Sequence, residues 1–210
     1  MPTLRTLKDL EREGLVTSDP RLSQVADGMA IGLTEEMLAQ IDRRNPTSDP
    51  IARQFVPDVR ELNVAPGELA DPIGDEARSP IKGIVHRYPD RVLLKPLHAC
   101  PVYCRFCFRR EKVGPGGDAL SADEMAAALS YIRARPQVWE VILTGGDPLM
   151  LSPRRLGEIF AALSAIPHVE TIRIHSRVPL TDPRRLTHEL AVAMQSDRSV
   201  WLVVHANHAR

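Results

Sequence analysis

The spacing of apolar residues along this chain changes near residue 86. From there on, short apolar runs alternate with segments whose apolar positions recur every three or four residues. Such alternation is typical of βα units that build a parallel sheet. The pattern predicts four strands, over residues 92–97, 138–144, 169–175 and 200–205.

Cap residues and prolines predict helices between these strands. Ser121 and Glu124 form a capping box, so we expect a helix over residues 121–135. A second helix is predicted over residues 152–165, where a serine and a proline stand at its start. Asp182, followed by a proline, is expected to cap a third helix.

The first 85 residues lack this alternation. Asp19 and the following proline predict one helix start, and residues 34–41 predict a further short helix. Many prolines give residues 45–90 the composition of a linker. We therefore expect a helical, proline-rich extension over residues 1–85 and an α/β domain over residues 86–210. Four leucines are spaced like one face of a short helix: Leu4, Leu7, Leu10 and Leu15.

Composition narrows the class of protein. The 210 residues include 27 Lys and Arg against 27 Asp and Glu, with 43% hydrophobic residues, which is typical of a globular protein. This zero net charge disfavours nucleic acid as the main partner. No stretch approaches a membrane span, and the start MPTLRTLKDLEREG lacks the apolar run of a secretory signal. We therefore expect a cytoplasmic protein with no membrane partner.

All three cysteines of the chain, Cys100, Cys104 and Cys107, follow the first predicted strand within eight residues. An odd number of closely spaced thiols without a secretion signal is a poor disulfide framework. Thiolates are soft ligands that select zinc or iron–sulfur clusters. A structural zinc site needs a fourth ligand, and three histidines could supply it: His98, His205 and His208.

The spacing C-x3-C-x2-C differs from the two separated cysteine pairs that are usual for zinc. A 4Fe–4S cluster normally takes four cysteines, so three thiolates would leave one iron open to a ligand from outside the protein. Zinc binding and a redox-active pair of Cys104 and Cys107 remain alternatives on the cysteines alone.

Polar motifs also follow the other three predicted strands, at residues 145–147, 175–177 and 205–208. In parallel α/β barrels the functional groups lie on the loops after the carboxyl ends of the strands. The Gly-Gly-Asp turn by itself could simply meet a requirement for positive φ. It also lacks the G-x-G-x-x-G pattern of dinucleotide-binding folds.

The cysteine loop resembles that of the radical S-adenosylmethionine (SAM) enzymes, with Phe106 in their aromatic position before the last cysteine. Longer segments are similar to the lysine 2,3-aminomutases and their relatives: HRYPDR, CRFCFRR, TGGDPL, RIHSRVP and the H-x-N-H near residue 205. The resemblance covers roughly residues 50–210. It implies an α/β fold in which the four strands are the first strands of a partial radical SAM barrel, behind an N-terminal helical extension.

For activity, the resemblance implies an aminomutase that moves an amino group between C2 and C3 of L-lysine to give β-lysine. Its cofactors would be a 4Fe–4S cluster, SAM and pyridoxal phosphate (PLP), which carry the difficult chemistry. An electron donor such as flavodoxin or ferredoxin and a homo-oligomeric full-length enzyme are also implied. The alternatives are a relative that acts on another amino acid or supplies β-lysine for translation-factor modification, and an inactive iron–sulfur or zinc-binding fragment.

The resemblance also implies roles for individual residues. The three cysteines would hold three irons of the cluster, while SAM chelates the fourth. Three residues match the turn that binds the amino group of SAM: Gly145, Gly146 and Asp147. Arg109 matches the arginine that pairs with the substrate carboxylate, a task suited to its planar fork. His205 would lie near SAM, and Arg87 and Arg91 match positions associated with the PLP phosphate.

The chain also departs from the family pattern. The family's PLP-binding lysine comes after the H-x-N-H segment, and no lysine of this chain matches it, so the catalytic lysine is unassigned. Lys95 is unusual inside an apolar strand, whereas Lys8, Lys82 and Lys112 are expected at the surface. Four strands of a barrel leave two open edges. We therefore expect these residues to be a truncated or partial form of a longer enzyme that binds PLP only with its second half.

Overall fold

The computed structural model describes residues 3–115 and 117–209. Its strands form one sheet, in which they lie side by side in chain order. The first pair is antiparallel, and every later pair is parallel. The predicted α/β fold with four successive parallel strands is therefore confirmed, and the sheet is not closed. The strands are β1 (Ile84–Tyr88), β2 (Arg91–Leu97), β3 (Glu140–Gly145), β4 (Thr171–Ser176) and β5 (Ser199–Val204).

Strand β1 is the one that the sequence pattern did not predict. Only its first two residues, Ile84 and Val85, are buried and apolar, and they pair with Leu94 and Leu93 of β2. The rest of β1 is polar or exposed, so the apolar run was too short to indicate a strand. A tight hairpin then returns the chain into β2, which places β1 at one edge of the sheet.

Four short helices precede the sheet: α1 (Leu7–Arg12), α2 (Pro20–Gly28), α3 (Glu35–Gln40) and α4 (Ala52–Phe55). The predicted cap at Asp19 is confirmed, because its side chain accepts a hydrogen bond from the second residue of α2. Helix α3 matches the prediction over residues 34–41. The leucine prediction was partly wrong: Leu4 and Leu15 lie outside α1, and Leu4 pairs through its backbone with Leu33.

These helices share a small apolar core. Leu10, Leu33 and Phe55 are almost fully buried in it, together with Val102 from the cysteine loop. Since Val102 lies between the first two cysteines, the core of the extension also anchors the loop. The N-terminal helices therefore help to position the cysteine loop.

The helices after β2 are α5 (Ala122–Arg133), α6 (Pro153–Ser164), α7 (Val178–Thr181) and α8 (His188–Ala193). The capping box of Ser121 and Glu124 is confirmed at α5. The predicted cap at Asp182 is wrong: its side chain makes no capping hydrogen bond, and only a single turn of 3₁₀ helix follows it. The third crossover helix, α8, starts instead after Thr187, whose hydroxyl accepts the N–H of Leu190.

One face of the sheet carries the main core. Residues such as Leu94, Val141 and Ile172 pack there against apolar side chains of α5, α6 and α8. Successive side chains of a strand alternate between faces, so Lys95 and Arg173 lie on the other face. Every residue of β5 is exposed. Within the described residues, no helix has both the length and the apolar character to cross a membrane.

Candidate functional site at the carboxyl edge of the sheet

The three cysteines lie on the loop that follows β2. Backbone hydrogen bonds tie this loop to the N-terminal extension: the N–H of Tyr103 donates to the carbonyl of Gly32 over 3.0 Å, and that of Arg105 to the carbonyl of Gln54 over 2.8 Å. Cys100, Cys104 and Cys107 are half-buried free thiols. The loop is thus fixed to protein on both sides of Cys104.

Burial raises the pKa of the Cys100 thiol, and the neighbouring Asp147, Cys104 and Cys107 raise it further. Burial also raises the pKa of Cys104, although the positive charge of Arg177 opposes this shift. These mutual effects mean that the three thiols and Asp147 lie within electrostatic range of one another. A thiol must lose its proton to bind a metal, so these thiols need added positive charge to become ligands.

The donor set fits an iron–sulfur cluster better than a single ion. Among residues 3–115 and 117–209, no three His, Cys, Asp or Glu side chains are grouped so that they could hold one metal ion. A cubane cluster does not require such a group, because each cysteine binds a different iron. Three soft thiolates on one short loop are the ligands that this kind of cluster takes.

The Gly145–Gly146 turn packs directly against the start of the cysteine loop. Gly145 has φ +110°, which other residues rarely adopt. The N–H of Gly146 donates to the carbonyl of Leu97 over 2.8 Å, and the N–H of Asp147 to that of Ala99 over 2.9 Å. A Cβ on Gly146 would lie 2.3 Å from the Ala99 carbonyl oxygen. Both glycines are therefore needed for this close approach.

The Asp147 carboxylate joins the ends of β3 and β4. It is buried and accepts hydrogen bonds from the hydroxyl of Ser176 at 2.8 Å and from the backbone N–H groups of Leu149, Arg177 and Val178. Burial raises the pKa of Asp147, whereas these hydrogen bonds lower it. The Asp147 carboxylate therefore already has hydrogen-bond donors within the protein.

Arg177, just after β4, belongs to the polar motif at residues 175–177, but the sequence alone suggested no role for it. Its Nη1 donates to Sγ of Cys104 over 2.7 Å, and its Nη2 donates to Oε1 of Gln54 over 2.8 Å. The guanidinium carbon lies 5.4 Å from the ring centroid of Phe55 and 5.5 Å from that of Phe106. Its position after a strand end indicates that it could belong to the site. Its contact with Cys104, however, depends on the tertiary fold and cannot be predicted from the local sequence.

Arg109 lies in a buried group of charges beside the cysteine loop. Its Nε donates to Oδ2 of Asp75 over 2.8 Å, and Nζ of Lys95 lies 3.8 Å from the same oxygen. Burial lowers the pKa of Lys95, and the nearby Arg109 lowers it further, against the opposing effect of Asp75. The arginine expected to bind a substrate carboxylate is therefore paired with a carboxylate of the chain.

A family model described as the radical SAM superfamily matches residues 94–197, which include the cysteine loop, the glycine turn and Arg177. Residues 94–197 form a radical SAM domain. The match begins in β2 and ends just before β5, so it covers the three parallel strands that border this site.

Curated relatives named L-lysine 2,3-aminomutase resemble nearly the whole of this chain. The protein from Clostridium subterminale is 39% identical over 207 residues, which are 98% of this chain and 50% of the relative. The one from Fusobacterium nucleatum is 39% identical over 202 residues, 96% of this chain and 46% of the relative. The one from Bacillus subtilis is 35% identical over 209 residues, 98% of this chain and 44% of the relative. The chain thus spans about half the length of these relatives.

Two of the predicted residues lie elsewhere in the chain. Arg91, at the amino end of β2, pairs with Asp90 at 2.7 Å and with Glu140 at 3.3 Å. Arg87 is exposed on β1 and donates to the carbonyl of Ile73. Both are at the end of the sheet opposite the cysteines, so the structure does not bring them together with the loop.

His205 follows β5 at the same edge as the cysteine loop. Its backbone N–H donates to the carbonyl of Ser176 over 2.9 Å, and its side chain is exposed. His205 therefore lies beside the end of β4, next to Arg177. The other lysines, Lys8, Lys82 and Lys112, are exposed, as expected.

Proposed function

We propose that this chain provides the cluster- and SAM-binding half of a radical SAM aminomutase that converts L-lysine to β-lysine. One observation carries the proposal: the three-cysteine loop is hydrogen-bonded at its start to the Gly145–Asp147 turn, at the carboxyl edge of a parallel sheet. The likeness to relatives named L-lysine 2,3-aminomutase supports the choice of reaction.

In this proposal, Cys100, Cys104 and Cys107 each bind one iron of a 4Fe–4S cluster. When bound, the cluster supplies the electron that cleaves SAM and starts hydrogen abstraction from the substrate. The cysteine loop leaves the fourth iron open to the amino and carboxylate groups of SAM.

The glycine turn would contact SAM through its backbone. Because the Asp147 carboxylate already accepts hydrogen bonds from Ser176 and three backbone N–H groups, the amino group of SAM is assigned to the backbone of Gly145 and Gly146. His205 would border the same ligand, since it lies at the same sheet edge.

Arg109 would bind the carboxylate of the amino acid substrate. A guanidinium presents five N–H donors, and Asp75 is bonded to the one at Nε. Arg87 and Arg91 are proposed for the PLP phosphate of the full-length enzyme, at the other end of the sheet. We expect the chain by itself to bind no PLP, because none of its lysines matches the family position. The electron donor would be of the flavodoxin or ferredoxin class.

Anaerobic reconstitution with iron and sulfide tests the cluster. We expect about four irons per chain and, after reduction, an electron paramagnetic resonance (EPR) signal that changes when SAM is added. Cys107→Ser should lose most of the iron, whereas the control Ser23→Ala, at an exposed position of α2, should keep it. Binding of one zinc per chain without a response to SAM would instead favour the zinc-binding fragment and overturn the proposal.

A further inference from the structure

Arg177 connects three parts of the site. Its backbone N–H donates to Oδ2 of Asp147 over 2.8 Å, so its position after β4 is fixed by the glycine turn. Its side chain donates hydrogen bonds to Sγ of Cys104 and Oε1 of Gln54. The cysteine loop, the turn and helix α4 therefore meet at one guanidinium group.

The charge of this guanidinium is held in weakly hydrated surroundings. The rings of Phe55 and Phe106 lie within 5.5 Å of its central carbon, and its Nε is buried without a hydrogen-bond partner among the described residues. No ion pair of the described part of the chain involves Arg177; Asp147 accepts its backbone N–H instead. A charge in such surroundings acts more strongly on its neighbours than a charge in water does.

We infer that Arg177 is a positioning residue that fixes the Cys104 ligand and raises the reduction potential of the cluster bound there. The inference rests on the proposed function. Reduction adds one negative charge to the cluster and its thiolates, and a cation that hydrogen-bonds to a ligating sulfur stabilises that charge. One electron enters from a donor of the flavodoxin or ferredoxin class, and no bond is formed or broken in this step.

The test is an EPR-monitored redox titration of the reconstituted chain without SAM. Arg177→Gln should make reduction at least about tenfold less favourable, which is a fall of about 59 mV for one electron. Arg177→Lys keeps the charge and should lie between this variant and the wild type. Arg184→Gln is the matched control, because Arg184 is half exposed and pairs with Glu35 and Glu36 instead of a cysteine.

Gln54→Ala provides a second variant in case Arg177→Gln fails to fold. It keeps the charge but removes the anchor of Nη2, so the potential should fall by less than in Arg177→Gln. An unchanged potential in every foldable variant, with a normal cluster in the wild type, overturns the inference alone. A wild-type chain that takes up no cluster overturns the proposed function and this inference with it.

Discussion

Nε of Arg109 donates a hydrogen bond to Oδ2 of Asp75 over 2.8 Å, and Nζ of Lys95 lies 3.8 Å from the same Asp75 oxygen. The carboxylate and the lysine are both buried. One carboxylate therefore balances two cations beside the cysteine loop. The group holds the segment before β1 against the loop, because Asp75 precedes that strand and Arg109 follows the last cysteine.

Asp75→Asn should strongly destabilise the chain. The substitution leaves the charges of Lys95 and Arg109 close together and unbalanced, and breaking a buried ion pair in this way costs about 3–5 kcal/mol. Urea denaturation measures the change in the free energy of unfolding. Asp197→Asn is the control: its side chain is 75% exposed, so a change within about 0.5 kcal/mol is expected. If the two variants were equally stable, Asp75 would not be needed to balance the charges of Lys95 and Arg109.

Lys95→Met should be tolerated, in contrast to the loss of Asp75. The Asp75 carboxylate keeps its partner Arg109, so the substitution leaves no buried charge uncompensated, and it removes an ammonium group whose charged form burial disfavours. We expect unfolding free energy within about 1 kcal/mol of the wild type, or above it.

The same variant should change the dependence of stability on pH. Since burial lowers the pKa of Lys95 in the folded state below the ordinary 10.5, the unfolded chain binds more protons between the two values. Wild-type stability therefore rises with pH in that interval, relative to Lys95→Met. Denaturation of both proteins from pH 7 to 10 measures the difference. If the unfolding free energies of both proteins changed with pH in the same way, Lys95 would not be desolvated in the folded state.

The sequence predicted the parts of the fold that depend on local patterns. Apolar runs indicated β2 to β5, and the cap residues Ser121 and Ser152 indicated α5 and α6, whereas the start of α8 was misplaced at Asp182. Strand β1 was missed because its pairing with β2 needs only two buried apolar residues. The Arg177–Cys104 and Asp75–Arg109 contacts join residues 73 and 34 positions apart, so no local pattern indicates them.

Asp147→Asn tests the link between β3 and β4. An amide has one oxygen where the carboxylate has two, so its NH₂ group would face either the N–H of Arg177 and Val178 or that of Leu149. Leaving such buried donors unpaired costs about 3 kcal/mol. Thermal and urea unfolding should show this loss, whereas the exposed Asp27→Asn should not. Wild-type stability of Asp147→Asn would mean that these hydrogen bonds are dispensable.

Gly146→Ala tests whether the cysteine loop depends on the close approach of the turn. The added Cβ would lie 2.3 Å from the carbonyl oxygen and 2.7 Å from the nitrogen of Ala99, and backbone atoms cannot move aside as a flexible side chain can. Overpacking of this kind costs about 1–3 kcal/mol. Because Ala99 directly precedes Cys100, we also expect less iron per chain after reconstitution.

Gly28→Ala is the matched control for this substitution. Gly28 ends α2 without a positive φ, and a Cβ there meets nothing within 4 Å, so its stability should stay within about 1 kcal/mol of the wild type. Both variants are compared by midpoint of thermal unfolding and by iron content. If Gly146→Ala matched Gly28→Ala in both measurements, the turn and the loop would not be in contact in solution. If Gly146→Ala lost iron but kept normal stability, the contact would serve to position the cysteines and not to stabilise the fold.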